Sequence, residues 1–141
     1  MGVKTRVGLP PFYSLIQIQM INGFEEQTHE LTDDEKNKII PILERGFKRL
    51  VGKDDAMTSK DICDMIENIH GIKVTGPRLR KMVNYIRIHD RVPLLMATSK
   101  GYYVATDQQE VIDYIKSLRD RANAITAVAD ALAVQFNKQF T

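Results

Sequence analysis

The sequence predicts a mainly helical fold with one small β-hairpin and a long C-terminal helix. Three observations carry this. Capped segments with apolar residues at helical spacing recur between Thr32 and His89, the period changes to that of strands between Val92 and Ala105, and no Gly or Pro occurs from Asp107 onward. A chain of 141 residues that is 43% hydrophobic supports one buried core with appendages.

Residues 1–30 read as a tail. Gly2, Gly8, Pro10, Pro11 and Gly23 surround one alternating piece, Ile16-Gln17-Ile18-Gln19-Met20, which either forms a single edge strand or stays disordered. Lys4 and Arg6 precede an apolar run from Phe12 to Ile16. Gln17 and Gln19 interrupt that run and no small-residue cleavage site follows, so export is not expected.

The first helix starts at a capping box, Thr32 with Glu35, and Asp33 and Asp34 suit the positive end of its dipole. Ile39, Ile40, Leu43, Phe47, Leu50 and Val51 give it one apolar face, and Gly52 should end it. Pro41 removes a hydrogen bond and clashes with the preceding turn, so the helix should kink or restart there. A second helix follows from Thr58 and Asp61, with Ile62, Met65, Ile66 and Ile69 on its buried side and Gly71 as the stop. Cys63 falls on that apolar side; a lone cysteine that packs as a small hydrophobe fits a reducing, cytoplasmic setting. Thr75 and Gly76 cap a third helix with Pro77 in its first turn, and Leu79, Met82, Val83 and Ile86 form its inner face.

The hairpin is read from Val92–Ala97 and Tyr102–Ala105 around the turn Thr98-Ser99-Lys100-Gly101, with Pro93 at a strand start or edge. Adjacent strand residues face opposite ways, so one of Tyr102 and Tyr103 should lie beneath the helices. The other should be exposed or packed on the C-terminal helix. That last helix, capped by Thr106 or Asp107, repeats Val111, Ile115, Leu118, Ala122, Ile125, Ala129, Leu132 and Phe136 at alternating four and three residues. Val111 and Ile115 can fold back on the domain. Leu118, Ala122, Ile125, Ala129, Leu132 and Phe136 then remain to pair with a second copy, in either orientation.

Net charge, a formal +2, decides nothing, but its distribution does. Acids dominate from Glu25 to His70, whereas from Gly71 to Tyr103 Lys73, Arg78, Arg80, Lys81, Arg87, Arg91 and Lys100 are opposed along the chain only by Asp90. In a helix-turn-helix the second helix of the pair enters the major groove, so Gly76–His89 is the candidate reading helix. Its inner face places Lys81 and Asn84 on the far side, with Arg78, Arg80, Tyr85 and Arg87 flanking. Thr75, Arg91 and the turn residue Lys100 extend this surface, and Ser59 and Lys60 can add phosphate contacts at the start of the second helix. Arginine can grip guanine and asparagine adenine, while any cation can hold phosphate.

The runs Met57–Ile62, Arg78–Arg87 and Val92–Thr106, above all a strand closing on Ser99-Lys100-Gly101-Tyr102-Tyr103, resemble winged-helix domains of the biotin-repressor N-terminal type. They are also similar to small phage and prophage proteins that end in a long helix. The resemblance covers about Leu31 to Ala133. It implies a winged helix-turn-helix over residues 31–106, a pairing helix over 107–141, and DNA binding in a phage or mobile-element setting in the cytoplasm of a bacterial host. A regulator and a replication or packaging accessory both fit. Fold analogy alone does not assign function. A protein-interaction module, with the acidic stretch Glu25–Glu67 docking a phage or host protein, is the alternative.

Catalysis is not expected. His29, His70 and His89 are scattered, Cys63 has no partner in sequence, and no phosphate-cradling glycine loop occurs, so neither metal nor cofactor is anticipated. No apolar run is long enough to span a bilayer.

Overall fold

The computed structural model describes residues 29–140, so the alternating piece at Ile16–Met20 lies outside the described residues. A π-helical turn at Glu35–Ile39 leads into α1 (Ile40–Phe47), followed by a 3-10 turn (Lys53–Asp55), α2 (Ser59–His70), α3 (Gly76–Ile88), β1 (Leu95–Thr98), β2 (Gly101–Val104) and α4 (Gln108–Phe140). The architecture is mainly helical, with a two-stranded antiparallel sheet and a long terminal helix.

Local capping chemistry sets most of the boundaries. Thr32 and Glu35 form a reciprocal capping box: Thr32 N donates to Glu35 Oε1 at 2.8 Å and Glu35 N to Thr32 Oγ1 at 3.1 Å. Pro41 stands at the start of α1, and the wide π turn ahead of it absorbs the missing donor and the ring clash. Thr58 accepts from Asp61 N at 3.1 Å and Thr75 from Arg78 N at 3.4 Å, capping α2 and α3. Gly71 closes α2 at φ +68°, and Asp107 Oδ1 accepts from Gln109 N at 2.9 Å to open α4.

Two boundaries differ from expectation. The first helix ends at Phe47, before Leu50 and Val51, because these residues turn to meet β2: Val104 N donates to Leu50 O at 2.6 Å, and Val51 bridges Val104. Met57 exchanges both backbone hydrogen bonds with Tyr102, at 3.2 and 2.8 Å, so the segment before α2 lines the free edge of β2. The hairpin also starts later than Val92. Asp90 and Leu94 take φ of +54° and +59°, which turns the chain around Pro93 and leaves β1 to begin at Leu95.

The sheet separates two apolar clusters. Leu95, Tyr102 and Val104 face the main core of Ile39, Ile40, Leu43, Phe47, Ile62, Ile66, Leu79, Met82, Val83 and Ile86. Met96, Tyr103 and Ala105 face the other way and pack with Val111 and Tyr114 of α4. Both tyrosines are therefore buried, and of the two places expected for the second, solvent or the C-terminal helix, it takes the helix: alternation sends Tyr103 under α4. There Tyr103 Oη donates to Glu110 Oε2 at 2.7 Å, and Lys53 pairs with the same carboxylate at 3.2 Å. Beyond these first turns α4 leaves the domain. None of its residues is buried, and at 33 residues it extends for about 50 Å.

Candidate nucleic-acid interface

Leu79, Met82, Val83 and Ile86 are buried at 2% exposure or less, which fixes the rotation of α3. Arg80 and Asn84 are consequently exposed and Lys81 half-buried on the opposite side. The N-termini of α2 and α3 converge at this face. A β-carbon added at Gly76 would stand 3.7 Å from Arg80 Nη1 and 4.0 Å from Ser59 Oγ. The hairpin turn closes on the same region, because a β-carbon at Gly101 would meet Met57 O at 2.3 Å, directly before the α2 cap. Lys100 is exposed in that turn, and Lys73 is exposed in the link before α3. Arg80, Lys81, Lys100 and Lys73 form no ion pair among the described residues.

Three arginines expected on this surface are engaged by partners elsewhere in the fold, though Arg91 stays exposed. Arg78 forks onto Glu35, Nε to Oε2 at 2.8 Å and Nη2 to Oε1 at 2.5 Å, and also donates to the carbonyls of His29 and Glu30 at 3.0 and 3.1 Å. Both side chains of the pair are 15% exposed or less. The Arg78 hydrogen bonds hold the Glu35 carboxyl below its ordinary range; burial opposes this, and the Thr32 backbone and hydroxyl bonds add to it. Arg87 Nε donates to Leu95 O at 2.9 Å and Nη2 to Tyr114 Oη at 3.1 Å, with its guanidinium 5.7 Å from the Tyr114 ring centroid. It ties α3 to the sheet and to α4. Arg91 is ion-paired with Glu44 and lies over the Tyr85 ring, which itself stands 4.2 Å from the His89 ring. Tyr85 is thus half-buried between these neighbours.

The remaining expected residues divide. Ser59 is half-buried at the convergence and Thr75 caps α3 beside it. Lys60 is exposed but bonded to Asp64 at 2.7 Å, and that bond raises the Lys60 pKa. Asn84 Oδ1 accepts from Arg87 Nη1 at 3.4 Å. The acids that neutralise Arg78 and Arg91 escaped sequence reasoning because they lie far away along the chain, Glu35 at a separation of 43 residues. The only local hint was the capping box, which placed the Glu35 carboxylate at a helix start.

Burial pushes up the Cys63 thiol and the Tyr102 and Tyr103 hydroxyls, and Glu110 raises Tyr103 further. A raised thiol pKa suits a packing role. Among the described residues no group of three His, Cys, Asp or Glu is placed to hold a metal ion, and no helix is long and apolar enough to cross a membrane. Along α4, Leu118, Ile125 and Leu132 are exposed, and Phe136 stacks on Phe140 with centroids 5.1 Å apart. Comparison of the chain with protein-family models, with curated proteins and with solved structures finds no match.

Proposed function

We propose that the chain is a winged helix-turn-helix protein that binds duplex DNA through α3 and the hairpin turn, and that it acts as a homodimer paired through α4. The observation that carries this is the set Arg80, Lys81 and Lys100, which keeps its charge unpaired among the described residues around the converging N-termini of α2 and α3. Two helix N-termini with a cation beside each suit a phosphate backbone, and Arg80 and Asn84 suit base edges. The element order supports the reading: one helix, a segment bridging the sheet, two helices, then a hairpin. Helix α4 packs on the Tyr103 side of the hairpin and touches α3 through Arg87 and Tyr114.

The binding surface is narrower than the sequence suggested, since Arg78, Arg87 and Arg91 are occupied. The phage or mobile-element setting in a bacterial cytoplasm rests on the sequence resemblance.

Gel shifts with generic duplex at two salt concentrations test the reading. Binding at low salt should weaken as salt rises, and an Arg80→Ala, Lys81→Ala, Lys100→Ala variant should lose most of it while staying folded. Absence of binding at low salt would transfer the case to a protein partner.

A further inference from the structure

We infer that α4 pairs with a second copy of itself in antiparallel orientation and in one register, with Ala122 level with the partner's Leu132 and Ile125 level with the partner's Ala129. This deepens the proposed dimer and rests on α4 pairing at all.

The first ground is side-chain size. From Ala122 to Leu132 the seam alternates small and large: Ala122, Ile125, Ala129, Leu132. A parallel, in-register pair would set like against like. Layers of two alanines would then alternate with layers of two large residues, and close packing disfavours such a spacing, because helices near enough for the alanines to touch would crowd the large layers. An antiparallel pair centred level with residue 127 sets each alanine against one Ile or Leu. Four successive layers then have the same volume at one helix separation.

Charge points the same way. Arg119 and Arg121 flank the seam on its two edges. In a parallel pair, one helix's Arg121 and the partner's Arg119 share an edge at levels about 3 Å apart, a like-charge contact. In the antiparallel register both face the partner's uncharged stretch from Ala133 to Gln135. Lys116 is already paired with Asp120 at 2.8 Å within its own helix.

The occupant is a second copy because the face suits itself and little else. Ile125, Val128 and Leu132 are 70%, 62% and 54% exposed, and between Ala122 and Gln135 the only charge is Asp130. An unlike partner would find no charge pattern to recognise, whereas the pattern of sizes complements its own reverse. The consequence is architectural. The starts of the two α4 helices lie roughly 55 Å apart, which places the two domains at opposite ends of a rod.

Disulfide mapping tests the register in full-length chains carrying Cys63→Ser. Chains with Ala122→Cys and chains with Leu132→Cys, distinguishable by size, are mixed and oxidised. The mixed dimer should form, and each alone should stay uncrosslinked, because like positions would be roughly 15 Å apart along the axis. Homodimeric disulfides at each position without the mixed product would show a parallel pair and overturn the inference while leaving pairing intact. A spin label at Asp113→Cys, outside the seam, guards against seam variants that fail to associate. It should report roughly 40 Å between copies, and a distance near 20 Å would also overturn the orientation. A chain that sediments as a monomer would remove the pairing itself, and the face would pass to another occupant.

Discussion

Arg78 grips Glu35 with both prongs of its guanidinium, joining the start of α3 to the turn that leads into α1 across 43 residues of chain. A side chain with every appearance of a DNA contact in the sequence is thereby a strut of the fold. Removing either partner strands a nearly buried charge. Arg78→Ala and Glu35→Ala should each cost about 3 kcal/mol or more by chemical denaturation, and the double variant clearly less than the two together.

The same pair gives the protein an acid limit. Because Arg78 lowers the Glu35 pKa from 4.5, the carboxylate contributes stability above that value, and the contribution is lost as pH falls through the folded-state value. Denaturation midpoints of the native chain should drop steeply below about pH 4.5, and those of Arg78→Ala less steeply. Equal slopes would mean that the pair carries no linkage.

The cations should divide cleanly by role. Alanine at Arg80, Lys81 or Lys100 should leave stability within about 0.5 kcal/mol and lower the salt dependence of DNA binding, by about 0.9 in log–log slope for each phosphate that is no longer neutralised. Arg87→Ala should instead cost about 1–3 kcal/mol, because it unties Leu95 and Tyr114 from α3, and should leave the slope unchanged. The pairing of urea titrations with gel shifts at several salt concentrations checks both halves.

Gly101 has φ +119° and no room for a side chain against Met57. Gly101→Ala should therefore destabilise the domain by about 2–4 kcal/mol and separate the hairpin from the α2 cap. Amide exchange at Tyr102 N, which donates to Met57 O, should accelerate more than exchange along α3.

In the antiparallel dimer proposed above, the two domains would stand farther apart than half-sites one helical turn, about 34–36 Å, from each other. The dimer should therefore be unable to place both domains on half-sites one turn apart, and free to hold two separate duplexes. A bead-bound duplex should retain a second, labelled duplex when the protein is present and release it when Arg80, Lys81 and Lys100 are changed to alanine. Retention of one duplex only would speak against this spacing.

Whatever depends on neighbours a few residues apart was legible from the chain alone. Thr32 with Glu35, Thr58 with Asp61, Gly71, Thr75 and Asp107 mark helix ends because capping is a local exchange of hydrogen bonds. The inner face of α3 followed from its period, and so did the outward direction of Asn84, whereas Lys81, expected beside it, is half-buried and Arg80, expected on a flank, is exposed. The heptad repeat of α4 was visible in the chain, and the folded domain buries none of its residues.

Tertiary structure alone decided which charges remain available. Arg78, Arg87 and Arg91 look alike to Arg80 and Lys100 in sequence, but Glu35, Tyr114 and Glu44 reach them only once the chain is folded. It likewise decided that Leu50 and Val51 line a strand and that Tyr103 lies under α4. Hydrogen-bond geometry along the chain is set by covalent spacing and so can be read from it. The partner of a charge or an aromatic ring is whatever the packed core brings beside it, and no spacing encodes that.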